Sequence, residues 1–213
     1  MRLYGYWRSS ASWRVRIGLG LKGLDYAYIP VHLARDGGEQ HGDAHRARNP
    51  MAQVPVLELE RGGEVFQVTQ SLAILELLEE LFPSPPLLPA DPMDRAAVRT
   101  LAEIVNAGIQ PMQNLSVTQR VAAMGGDVAA WTGDAIRRGL GAIDTLAART
   151  AGQFLVGDQP TIADCCLMPQ LYSARRFGVD PSAWPRLVAI EARAMELEAF
   201  QRAHADRQPD ATP

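Results

Sequence analysis

Five prolines fall within the ten residues from Pro83 to Pro92. A segment with so many fixed φ angles and missing N–H donors carries neither a helix nor a sheet ladder. It reads as a linker, and the stretches on either side must each build their own core. Their patterns differ. Upstream, the apolar period switches between two and 3.6 residues; downstream, only the helical period recurs. At 213 residues, 47% of them hydrophobic, the chain has material for two small domains.

Upstream, Met1 to Tyr6 reads as a strand. Trp13, Ile17 and Leu21 form an i, i+4, i+8 stripe that stops at Gly23, a C-cap. Tyr26 to Val31 is a second strand, and a strand–helix–strand unit of this length makes the two strands parallel. Val54 to Leu59 and Val65 to Val68 flank Arg61-Gly62-Gly63, a hairpin signal. Helical spacing returns from Ser71 to Phe82. The order βαβ then ββα is that of a thioredoxin-like domain. Downstream, helices are expected at Arg95 to Asn106, Val128 to Thr150, Ile162 to Phe177 and Pro185 to His204. The expected fold is therefore α+β: a thioredoxin-like domain over 1–82, a linker over 83–92 and an all-α domain over 93–213. Thr161-Ile162-Ala163-Asp164 has the form of a capping box. Cys165 and Cys166 fall inside the helix it opens and read as packing groups, since adjacent side chains diverge by about 100° there.

A net charge of −3 without a basic run argues against nucleic acid as a partner. No apolar stretch is long enough to span a membrane. Arginines at positions 2, 8, 14 and 16 interrupt any signal-peptide core. Two adjacent cysteines make no disulfide framework, so the cytoplasm is the expected compartment. His41 and His45 are spaced i, i+4, but their polar, glycine-rich surroundings read as a solvated segment rather than a metal site.

The segment from Tyr6 to Arg16 carries the chemistry. Ser9, Ser10 and Ser12 cluster with Arg8 where a strand hands over to a helix. The unpaired N–H groups and positive dipole end of a helix favour an anion there. One of these serines is needed as an ordinary helix cap; the others are in excess of that need.

Ser9-Ser10-Ala11-Ser12-Trp13-Arg14-Val15-Arg16 resembles the Ser-Ser-Cys-Ser-Trp-Arg-Val-Arg signature of the zeta class of glutathione transferases, a class that includes maleylacetoacetate isomerases. Asp36-Gly37-Gly38-Glu39-Gln40, Asn49-Pro50-Met51, Gln53-Val54-Pro55 and Gln70-Ser71-Leu72-Ala73-Ile74 match the same family. So do the run from Gly108 to Val117, Phe177-Gly178-Val179-Asp180 and the terminal Arg207-Gln208-Pro209-Asp210. The likeness covers nearly the whole chain.

That resemblance implies glutathione-dependent cis–trans isomerisation of maleylacetoacetate to fumarylacetoacetate, late in tyrosine and phenylalanine catabolism. Reversible addition of the glutathione thiolate turns the alkene into a single bond that can rotate. A free thiol of pKa roughly 8.5 is only about 3% ionised at neutral pH. Lowering that pKa by ~2 units takes about 2.7 kcal/mol, within reach of a hydroxyl hydrogen bond to the charge plus a helix N-terminus. By resemblance Ser9 makes the thiolate contact and Ser10 supports it, both as donors and not as bases. Ala11 shares the cofactor site but stands where the signature has Cys, which excludes a side-chain thiol at that position.

The family match also assigns Gln40 to the glycine end of glutathione, and Gln70 and Ser71 to its γ-glutamyl carboxylate. Val54, ahead of a cis Pro55, is assigned to its cysteinyl backbone. Gln110, Asn114, Leu115 and Ser116 match helical positions near the cofactor, some of which act across a dimer interface. Arg8 and Arg176 match positions that bind the carboxylates of a dicarboxylate substrate; Arg175 should point elsewhere. A homodimer is implied. Maleylpyruvate isomerase is the nearest alternative, although some bacterial enzymes of that kind carry arginines where this chain has Leu115 and Ser116. Conjugation or α-haloacid dehalogenation is a further one. A non-enzymatic interaction module would need neither the serine cluster nor both arginines.

Overall fold

Leu3, Val15, Leu19, Leu57, Ile74 and Leu78 form the main apolar cluster of the first half of the chain, and the elements around it are those that can present such residues to one another. The computed structural model describes residues 1–212. In chain order these elements are β1 (Arg2–Gly5), α1 (Ser10–Leu21), β2 (Ala27–Pro30), the single-turn α2 (Asp43–Arg46), β3 (Val56–Arg61), β4 (Glu64–Thr69) and α3 (Ser71–Leu81). The sheet order is β2-β1-β3-β4. β1 runs parallel to β2 and antiparallel to β3, which is antiparallel to β4. This is the βαβ–ββα order expected from the pattern. Gly62 and Gly63 turn the hairpin with φ of 63° and 83°, values that suit glycine at both central positions. Gly18 is needed for another reason: a Cβ there would meet Leu75 Cδ2 at 2.2 Å, so its absence lets α1 close on α3.

Helix α1 departs from the amphipathic stripe. Every residue from Ser12 to Leu19 is buried, including Arg14 and Arg16. Two charged side chains inside a helix with no wet face need partners within the fold. Arg16 finds them in three carbonyls: Nη2 donates to Trp7 O at 2.9 Å, Nη1 to Tyr6 O at 3.4 Å and Nε to Ala203 O at 3.0 Å. The last lies in α10 (Glu198–Ala203). The tail from Leu197 onward accordingly belongs to the same compact unit as residues 1–87, while residues 88–196 form the second. The all-α half expected over 93–213 thus loses its tail to the first unit. The expected helix from Pro185 to His204 is likewise two helices, α9 (Pro185–Ala194) and α10, split where the chain changes unit.

The proline segment is irregular but anchored. Lys22 is buried and its Nζ donates to Phe82 O (2.6 Å) and Pro85 O (2.8 Å) and pairs with Glu79. Glu79 also accepts the Leu87 N–H at 2.8 Å. Asp91 then caps α4 (Pro92–Glu103), so this helix starts three residues before the expected Arg95.

The second unit continues through a π-helical segment (Ile104–Ile109), α5 (Gln110–Gln113), α6 (Leu115–Ala123), α7 (Val128–Ala147) and α8 (Ile162–Arg176). α6 buries no residue, which is why no apolar stripe announced it. The Thr161–Asp164 box is formed as expected: Asp164 Oδ2 accepts from Thr161 N (2.8 Å) and Thr161 Oγ1 (2.9 Å), and Oδ1 accepts from Leu155 N (3.0 Å). Burial nevertheless pushes the Asp164 carboxyl up to about 6, from an ordinary 3.8.

The folded protein therefore holds this proton at pH values where the unfolded chain has released it. The contribution is complete below the unfolded pKa and lost as pH rises through 6. Urea unfolding from pH 4 to 6.5 should show a falling component of up to about 3 kcal/mol. Asp164→Asn should lack that slope while being less stable overall; an unchanged slope would remove Asp164 as its source.

Candidate active site

Strand register gathers one set of candidate residues. Gly5 pairs with Pro30, Tyr4 with Val56, and Val56 with Thr69. Four segments therefore meet at one edge of the sheet: the turn from Tyr6 to Ser9 after β1, the stretch after β2 that leads to Gln40, Val54–Pro55 ahead of β3, and Gln70–Ser71 after β4. Helices α1 and α3 both start from that edge, so two positive dipole ends lie there.

Ser9 is the N-cap of α1. Its Oγ accepts the Ser12 N–H at 3.2 Å. A hydroxyl that accepts in this way keeps its own proton to donate. Ser9, Ser10 and Ala11 are half-buried, whereas Arg8 is exposed with its guanidinium 5.1 Å from the Trp7 ring centroid. Ser12, the third hydroxyl of the cluster, is fully buried and accepts the Tyr6 N–H at 3.4 Å. It braces the turn rather than facing the edge.

At the second helix, Gln70 is exposed with φ of 68°, and no side chain caps the first turn of α3. Ser71 is buried, and its Oγ accepts from Arg14 Nη1 at 3.2 Å. The Val54–Pro55 peptide is cis, as the family match implied. Just before it, the Gln53 carbonyl accepts from Asn49 Nδ2 at 2.8 Å and lies 2.9 Å from His45 Nε2. His45 is thus buried in α2, not solvated as its neighbours in sequence suggested; a single helical turn is enough to swing it inward. Gln40 is buried as well. Its Nε2 donates to Leu33 O at 3.3 Å, while Oε1 is buried without a partner.

The second unit holds the other candidates. Gln110 opens α5 directly after the π-helical segment. Asn114 caps α6, with Oδ1 accepting from Ser116 N (3.3 Å) and Ser116 Oγ (3.4 Å), and both Leu115 and Ser116 are exposed. Arg176, the last residue of α8, is exposed with its guanidinium 4.6 Å from the Phe177 ring. Arg175 points elsewhere, as expected: it makes a bidentate pair with Glu191 at 2.6 and 2.5 Å.

Three residues at the sheet edge carried no role in the sequence reading: Arg14, Arg16 and Asp210. Asp210 Oδ2 accepts the Trp7 N–H at 3.0 Å and the Tyr28 hydroxyl at 3.3 Å. Burial pushes the Tyr28 phenol well above its ordinary pKa; like any phenol it keeps its proton at neutral pH and can donate here. The sequence signal was a pair of arginines inside an otherwise apolar helix, a placement that demands acceptors from elsewhere in the chain.

Residues 3–86 match the family model described as glutathione S-transferase, N-terminal domain, and residues 126–193 match that of the C-terminal domain. The chain is 47% identical to the maleylacetoacetate isomerase of Rattus norvegicus over 98% of its own length and 94% of the relative's. Among solved structures it is similar to maleylacetoacetate isomerase from Anaeromyxobacter dehalogenans 2CP-1 with bound glutathione, at 53% identity and a TM-score of 0.91, covering 99% of this chain and 97% of that one. A second structure of that protein holds dicarboxyethyl glutathione and citrate; there the identity is 50%, the TM-score 0.90 and the coverage 100% and 94%. A maleylpyruvate isomerase, described as a bacterial zeta-class glutathione S-transferase, is 44% identical with a TM-score of 0.92 over the whole of both chains.

Proposed function

The chain belongs to the zeta class of the glutathione transferase family, together with maleylacetoacetate isomerases, and from that membership we propose that it catalyses the glutathione-dependent cis–trans isomerisation of maleylacetoacetate to fumarylacetoacetate. The observation that carries the reading is the Ser9 cap, a hydroxyl with a proton left to donate, on the sheet edge where α3 also begins. When bound, glutathione supplies a thiolate that adds to the alkene and later leaves, so that the bond rotates in between.

The edge fits such a tripeptide. The uncapped first turn of α3 and the Ser71 hydroxyl suit its α-carboxylate, with Gln70 beside them. Val54, next to cis Pro55, offers backbone groups for strand-like pairing. The buried, partnerless Gln40 Oε1 suits an amide N–H near the glycine end. Ser9 donates to the sulfur, Ser10 assists, and Ala11 leaves the sulfur no competing thiol. Gln110, Asn114, Leu115 and Ser116 are proposed as the helical half's share of the cofactor site. Arg8 and Arg176 hold the substrate's two carboxylates and orient the alkene; both are exposed, and their side chains are long enough to adapt. The Anaeromyxobacter relative holds dicarboxyethyl glutathione and citrate in its active site, which supports a carboxylate-bearing substrate.

We place the enzyme in the cytoplasm, as a homodimer acting in tyrosine catabolism. Cys165 and Cys166, fully buried and not bridged, suit a reducing compartment. Met51, Val65 and Phe66 leave apolar surface exposed on the first unit, which suits a subunit contact. No helix among the described residues is long and apolar enough to cross a membrane. Maleylpyruvate is the second substrate to test, since the chain is 44% identical to an enzyme of that name.

Purified protein should turn over maleylacetoacetate faster than maleylpyruvate, and neither without glutathione. Activity that persists without the tripeptide would sink the proposal, and a preference for maleylpyruvate would move it to the second substrate. Ser9→Ala should raise the pKa of the bound thiol by one to two units and cut kcat/KM about a hundredfold; an unchanged thiolate absorbance titration would take Ser9 out of its role. Arg176→Ala should raise KM for the substrate roughly ten- to a hundredfold with little change in thiol pKa. A normal KM would argue against the carboxylate contact.

A further inference from the structure

We propose that Asp210, in the C-terminal tail, is a positioning residue for the turn that carries Arg8 and Ser9. The proposal rests on the reading of Ser9 as the thiolate donor. The connection from β1 to α1 contains no regular element, so its shape depends on what its backbone groups bind. Tyr6 N–H goes to Ser12 Oγ, and Tyr6 O receives the Ser9 N–H at 3.0 Å together with Arg16 Nη1 at 3.4 Å. Trp7 is held entirely from outside the turn: Arg16 Nη2 donates to its carbonyl at 2.9 Å, and Asp210 Oδ2 accepts from its N–H at 3.0 Å.

Asp210 is 203 residues from Trp7 in sequence. Without it, the Trp7 amide would face a partly buried site with no acceptor, and the backbone of Trp7 would be held through its carbonyl alone, by Arg16. The carboxylate is itself fixed by the Tyr28 hydroxyl at 3.3 Å. Asp210 also acts on the buried Arg16 as an opposite charge. A negative group near a thiolate would oppose ionisation by charge alone. Its value here is geometric: it fixes the amide two residues ahead of Ser9, and small misplacements of a donor at a reacting atom cost large factors in rate.

Asp210→Ala removes both the acceptor and the charge, whereas Asp210→Asn keeps an acceptor oxygen and removes only the charge. Thiolate absorbance of bound glutathione would be titrated in each variant alongside Ser9→Ala, with melting temperatures and steady-state kinetics recorded in parallel. The expected result is a thiol pKa raised by roughly one unit and kcat reduced about tenfold in Asp210→Ala, with substantial rescue by Asp210→Asn. A titration unmoved in Asp210→Ala would overturn the proposal, as would a loss of kcat that only tracks the unfolded fraction. Equal shifts in the two variants would mean that charge, not position, is what the tail supplies, and would overturn it too. Should Ser9→Ala leave the titration unmoved, the Ser9 reading fails and takes this one with it. A shift in Ser9→Ala without one in Asp210→Ala counts against the tail alone.

Discussion

A single buried guanidinium sets how the first unit is assembled. Arg16 lies in a helix whose residues are buried from Ser12 to Leu19, so it has no route to water. Burial pulls its pKa down, and Tyr28, Tyr26 and Asp210 act in the opposite direction. Such a group is tolerable only when its donors are met, and each of its nitrogens reaches a backbone carbonyl, at Tyr6, Trp7 or Ala203. Two of these lie in the turn that opens the candidate site and one lies near the C-terminus. The site and the tail are therefore one construction: the chain cannot bury α1 without bringing residues past 196 back to the first unit.

What could be read from the sequence was what depends on neighbours in the chain. The β-strands, the glycine hairpin, the Gly23 end of α1 and the Thr161–Asp164 box all arise from residues within a few positions of one another, and their signals are local. α6 left no such signal because it buries no side chain, so propensity and the Asn114 cap were all there was to see. The break between α9 and α10 was hidden for the opposite reason. Apolar spacing continues across it, and the break falls where the chain passes from one unit to the other. His45 was misplaced because glycines and charges around it look solvated, while its true partner is the Gln53 carbonyl, which one turn of α2 brings within 2.9 Å.

The candidate site divides along the same line. The residue types at Ser9, Gln40, Val54, Gln70 and Ser71 stood out as motifs, but nothing local says that they converge. Strand register does: Tyr4, Val56 and Thr69 stand abreast, and everything that follows or precedes them is carried to one edge. The groups that hold those residues were the least visible. Arg14 reaches Ser71 across 57 positions and Asp210 reaches Trp7 across 203. Long-range polar partners have no period, so no pattern search finds them.

The replacement of the signature cysteine by Ala11 narrows the chemistry. With no thiol at that place, the proposed mechanism leaves the ionising of a bound sulfhydryl to hydroxyls and helix ends. The Oγ of Ser9 already serves as the cap of α1. Capping and donation are not alternatives, however. The cap uses a lone pair of the oxygen, and a hydroxyl that accepts one hydrogen bond donates the next more strongly. The Ser12 N–H therefore pulls electron density from Ser9 in the direction that strengthens its O–H as a donor. Ser12 in turn uses its own hydroxyl to hold Tyr6, the residue whose carbonyl receives the Ser9 N–H. Two of the serines thus divide the work: buried Ser12 shapes the turn, and half-buried Ser9, fixed by that turn and polarised by its cap, is the donor that the proposed mechanism assigns to the thiolate.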